Sequence, residues 1–132
     1  MRKPTIAVAA TVLIAFFTAA TAASAQTART SRLMREKLLH SQRVLAALTT
    51  SDYTLMQKET QGLTKIIQSS EWTELMTGTL RPYTTGFTKA LGDLTAAAAS
   101  RDYDAAGSSY TAMTAACIQC HKHVMNSRIA GR

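Results

Sequence analysis

After Gln26 the chain has a single proline, Pro82, and no Asn-Gly or Asp-Gly pair to close a hairpin. Its apolar residues recur at spacings of three and four, and its β-branched residues do not alternate with polar ones. That pattern argues against a sheet and predicts helices throughout.

Four long helices follow from it. The first is expected from about Thr30 to Leu48, with Met34, Leu38, Ser41, Leu45 and Leu48 as its inner stripe. Their spacing of 4, 3, 4, 3 is that of a helix packed in a bundle. The second is expected from about Asp52 to Ser69, with Ser51 or Asp52 as its cap and Met56, Leu63, Ile66 and Ile67 inside. Residues 70–80 read as a connection with one further turn around Trp72 and Leu75. The third helix is expected from about Arg81 to Ala99, where Pro82 fits the first turn. Its inner face is Phe87, Leu91, Leu94 and Ala98. Asp102 caps the fourth, expected from about Tyr103 to Met125. The stripe of this helix is Tyr103, Ala106, Tyr110, Met113, Cys117, Cys120 or His121, and Val124. Similar lengths and short connections predict an all-α, antiparallel up-down-up-down four-helix bundle.

The N-terminus carries a different message. Arg2 and Lys3 precede a run from Ile6 to Ala20 in which Thr is the only polar type, and Ala23-Ser24-Ala25 follows. This is the layout of a secretory signal peptide over residues 1–25, cleaved after Ala25. The run is shorter than the ~20 apolar residues a spanning helix needs, so the chain is expected not to span a membrane after cleavage. Residues 26–132 then form one domain with one modest core. Without Arg2 and Lys3, the 15 basic residues become 13 against 8 acidic ones, a net charge of +5. That excess points to an acidic partner or an anionic surface. The basic residues are scattered, which is not a nucleic-acid signature.

Both cysteines and two of the three histidines lie in one short window, "AACIQCHKH", from Ala115 to His123. A disulfide between residues three apart closes a very small loop and stabilises little. A thioredoxin-like pair expects a strand followed by a helix, with the thiols at the helix N-terminus. Four zinc ligands drawn from seven consecutive helical residues cannot surround the ion tetrahedrally. Cys117-Ile118-Gln119-Cys120-His121 matches the C-x-x-C-H attachment site of c-type haem. Two thiols about one helical turn apart share a face, and each can form a thioether with one of the haem vinyl groups. The imidazole that follows lies under the iron as an axial ligand.

In an up-down-up-down bundle the first and last helices are antiparallel neighbours, so the start of one is level with the end of the other. A ligand opposite His121 is then expected from the first turns of the first helix, where Met34 lies on the stripe. Packing alone would also explain a methionine there. His40 is the rival; it is ~9 Å along the axis and ~240° around from Met34, and reads as surface. Met76 is a reserve at the same end of the bundle. His123, two residues from His121, faces elsewhere, and Met113 and Met125 share a helix with His121 and do not readily reach the opposite face. Arg32, Arg35 and Lys37 surround Met34; an Arg could meet a haem propionate, but an ordinary solvated basic face is the expectation.

With its C-x-x-C-H at Cys117, Cys120 and His121 near the C-terminus, its signal peptide and its Met34, the chain resembles the class II cytochromes c. These are the four-helix group that includes cytochrome c-556 and cytochrome c′. The resemblance implies one covalent haem c with its iron, a periplasmic location, and no substrate-transforming catalysis. Members resembling cytochrome c-556 have Met as sixth ligand and carry electrons. Those resembling cytochrome c′ are five-coordinate and bind nitric oxide or carbon monoxide. Met34 points to the first kind: a periplasmic monohaem carrier of single electrons, a monomer or homodimer, that meets acidic redox partner proteins. Nothing in the sequence suggests a general acid or base, a nucleophile or a phosphate loop, so the chain is not expected to be an enzyme.

Overall fold

The computed structural model describes residues 5–130, and Arg2 and Lys3 of the expected signal peptide lie outside them. The chain is all-α: among the described residues there is no strand. The elements are α1 (Thr5–Thr49), α2 (Tyr53–Ile67), α3 (Ser70–Leu75), a 3₁₀ turn (Gly78–Leu80), α4 (Arg81–Ser100) and α5 (Tyr103–Ala130). It divides into two compact units, Met1–Arg32 and Leu33–Arg132. In the first, the described residues are helical, and the Thr30 hydroxyl donates to the Gln26 carbonyl at 3.0 Å. Helix α1 thus begins well before the expected Thr30. The stretch from Ala20 to Ala28 is rich in alanine and lacks proline and glycine, so nothing local starts or stops a helix there. Among the described residues no helix is long and apolar enough to cross a membrane.

The other boundaries follow local chemistry. Asp52 Oδ1 accepts from the Leu55 amide at 2.9 Å, and Asp102 Oδ1 from the Ala105 amide at 3.0 Å. Each aspartate follows a left-handed residue, Ser51 (φ 54°) or Arg101 (φ 57°). The amide of Asp52 reaches back to the Ala47 carbonyl at 2.8 Å, and that of Asp102 to Ala97 at 3.0 Å. These six-to-one bonds end one helix as the aspartate opens the next. Ser69 caps α3 by accepting from the Trp72 amide. The extra turn expected around Trp72 is this helix.

The second unit has one main core. Val44, Ala47 and Leu48 of α1 meet Met56 and Leu63 of α2. Phe87, Ala90, Leu91, Leu94, Ala97 and Ala98 of α4, with Ala106 and Met113 of α5, complete it. The alanines leave room for close helix approach, and α4 packs most extensively on α5 and then on α2. A smaller cluster holds Leu33, Ile66, Trp72 and Met76, with Met34 packed against it.

The α1 stripe read from sequence is rotated from the observed one. Leu38 is 57% exposed and Leu45 44% exposed, while Leu33, Val44 and Ala47 are buried. Only Leu48 is common to both sets. The helix carries apolar residues on two adjacent stripes, and the shape of its neighbours selects between them.

His40 is not a simple surface residue. Its ring is 28% exposed, and its Nδ1 lies 2.6 Å from Oε2 of Glu59, itself only 2% exposed. Arg43 Nη1 adds a weaker contact to Glu59 Oε1 at 3.8 Å. The imidazole sits against Gly62, where an added Cβ would lie 2.6 Å from Nδ1. A Gly→Ala change inside a helix ordinarily stabilises by ~1 kcal/mol. Here Gly62→Ala is expected to push His40 off the buried carboxylate and to destabilise by about 1–3 kcal/mol in urea titration. In a His40→Ala background the same substitution should turn neutral or stabilising. A stabilising Gly62→Ala in the unchanged chain would contradict this packing.

Candidate functional site

Helices α1, α4 and α5, with the α3 segment, enclose a cleft of about 810 Å³, counting space that opens to solvent. From α1 come Met34, Lys37, Leu38, Ser41 and Gln42. Trp72 and Met76 flank it from the α3 segment, and Tyr83, Thr84 and Phe87 from α4. From α5 come Tyr110, Thr114 and Ala116, then Cys117, Cys120 and His121. The four residues singled out in the sequence, Met34, Cys117, Cys120 and His121, therefore line one cleft. Met76, the reserve, lines it as well. His40 and Met113 do not. Met113 is buried in the main core.

The motif lies in the middle of α5. Cys117 and Cys120 are half-buried free thiols and His121 is exposed at the rim. Among the described residues, no three His, Cys, Asp or Glu side chains converge to hold a metal ion by themselves. Tyr110 anchors the helix below the motif, its hydroxyl donating to the Ser41 carbonyl of α1 at 3.2 Å. His123 is half-buried and stacks on Tyr83, with ring centroids 5.0 Å apart.

Burial raises the pKa of both thiols, and the nearby Lys37 charge opposes this only in part. A dithiol redox pair needs the reverse, a thiolate favoured by a helix N-terminus or a neighbouring cation.

Lys37 was expected on a solvated face and is instead inside. Its Nζ lies 3.4 Å from the Phe87 ring centroid and 4.3 Å from that of Trp72. These are cation–π distances. Burial lowers its pKa to about 8, with Cys117 and Cys120 pulling the other way. The signal that could have placed it is its position one turn after Met34, on the same side of α1. The sequence places Trp72 in the connection and Phe87 on an inner face and singles out no role for Tyr83; together the three form the aromatic walls of the cleft.

Comparison with protein-family models, curated proteins and solved structures finds no match to this chain.

Proposed function

We propose that the protein is an exported c-type cytochrome that carries single electrons. The observation that supports this reading is the meeting of Met34 with Cys117, Cys120 and His121 around one largely apolar cleft. Two thiols one turn apart, an adjacent imidazole and a thioether from another helix are the donor set that haem c takes. The cleft also offers flat aromatic walls from Trp72, Phe87 and Tyr83. The residues present fit the group.

When bound, the haem supplies a one-electron iron couple. Cys117 and Cys120 would hold the haem, each through a thioether made by addition of the thiol S–H across a vinyl group. His121 would offer an imidazole nitrogen to the iron. Met34 would offer a thioether ligand, which favours a higher potential. Phe87 and Trp72 exclude water from the inner wall, which limits solvent reorganisation when charge changes. Its rim is open at the exposed His121, where a partner protein can approach.

In this reading residues 1–25 are removed on export to the periplasm. The remaining part of α1 forms an antiparallel four-helix bundle with α2, α4 and α5. The four contributions to one core support the bundle. The acidic partner proposed from the net charge of +5 remains part of the reading.

The first test is chemical. The full chain is produced with a cytochrome c maturation system, purified and extracted with acidified acetone. Covalent attachment leaves the colour with the polypeptide, and reduction sharpens the visible bands of a low-spin centre. A colourless protein, or colour that leaves with the solvent, would overturn the assignment.

A further inference from the structure

Sixteen residues line the cleft, and none is an aspartate or glutamate. Lys37 is half-buried within it, and among the described residues no carboxylate forms an ion pair with its ammonium. Its contacts are the faces of Phe87 and Trp72. A cation withdrawn from water without an anionic partner is unfavourable, and the aromatic faces offset only part of that. An unbranched apolar side chain would fill the same space without the penalty. The charge is therefore hard to explain as packing.

Its position suggests its use. Lys37 follows Met34 by one helical turn on α1, and its field reaches both Cys117 and Cys120 on α5. It thus stands between the two elements that carry the proposed ligands. Taking up one electron from a donor lowers the positive charge of the site by one. A fixed positive charge nearby, in a medium less polar than water, opposes oxidation and favours the reduced state.

We infer that Lys37 is a potential-setting residue: its ammonium, held in the cleft against Phe87 and Trp72, stabilises the reduced centre. The inference rests on the haem reading above. Lys37 acts through its field and need not touch the iron. At neutral pH the ammonium form prevails, since burial lowers its pKa only to about 8.

The test compares the intact haem-loaded protein with Lys37→Leu, Lys37→Gln and Lys37→Arg. Lys58→Leu, on the exposed face of α2, controls for net charge. Leucine and glutamine are chosen because a methionine there could itself bind iron. Haem content and the reduced and oxidised spectra are recorded first, then the midpoint potential at pH 6.5 with chemical mediators. Lys37→Leu and Lys37→Gln are expected to keep the wild-type spectrum and to lower the equilibrium constant for reduction at least tenfold, a shift of ~59 mV. Lys37→Arg should restore most of it, and Lys58→Leu should change it less than twofold.

If the unmodified chain takes up no haem, the haem reading itself fails. If haem is present and both neutral variants stay within twofold of wild type, the haem reading stands and the role given to Lys37 falls. A neutral variant that loses haem while Lys37→Arg retains it also overturns the inference, because Lys37 then acts in loading the site.

Discussion

Replacing Cys117 and Cys120 together by serine is expected to remove all covalently bound haem. The two thiols are the only ones in the chain, and both line the cleft. A hydroxyl does not add to a vinyl group under the conditions in which a thiol does. Haem held by His121 and apolar contact alone would pass into acidified acetone. Each single variant should retain one thioether and stay coloured after extraction, with its reduced band moved to longer wavelength by the vinyl left in conjugation. Because both thiols are only half-buried, Cys117 packing at the edge of the main core, and serine is close in size, the double variant should keep the helical circular dichroism of the haem-free chain. Covalent colour in the double variant would refute the attachment site.

The second large effect is expected at Met34. Its side chain is half-buried, packs against the Leu33, Ile66, Trp72 and Met76 cluster, and also lines the cleft. Met34→Ala should convert a low-spin centre to high-spin and open the iron to carbon monoxide in the reduced protein. Loss of a thioether ligand should also lower the equilibrium constant for reduction at least tenfold, ~59 mV or more. The structural effect is smaller, because the site is partly open and a truncated methionine at a cleft wall leaves no sealed cavity. An unchanged spectrum would leave Met34 as packing and make Met76, on the same cleft, the next ligand to test. A wild type already high-spin and binding carbon monoxide would sink the electron-carrier reading in favour of a five-coordinate gas-binding protein.

Both variants separate the motif from its setting. The serine pair asks whether C-x-x-C-H attaches haem, a question of local chemistry on one helix. Met34→Ala asks whether α1 delivers a ligand to that helix, a question of how two distant segments pack. Lys37 adds a third layer, since its charge is informative only because the fold withdraws it from water.

The shared placement of four residues on one cleft was legible in the sequence. Three residues make about one helical turn, so Cys117 and Cys120 were bound to share a face of any helix containing them. Met34 was expected opposite the motif and does line the same cleft, although the motif lies in the middle of α5 and not at its end. The cleft's aromatic walls were not legible. Trp72, Phe87 and Tyr83 look the same in sequence whether they fill a core or wall a cavity. Their roles depend on what the neighbouring helices leave empty. Glu59 carries no signal in the sequence, because a carboxylate among the apolar residues of α2 is ordinary unless His40 and Gly62 close over it.

The sequence by itself determined the helices and most of their ends. Periodicity, the capping aspartates Asp52 and Asp102 and the initial Pro82 act within a few residues, so they need no tertiary partner. It also determined the spacing of the thiols and the imidazole. Only the tertiary structure decided the rotation of α1, turning Leu33 and Val44 inward and leaving Leu38 and Leu45 exposed. It alone put Lys37 between two aromatic rings and Glu59 beneath His40. Turning a helix about its axis breaks none of its own hydrogen bonds, so local preference is nearly indifferent to it. The choice falls to the shapes and charges of the helices packed alongside.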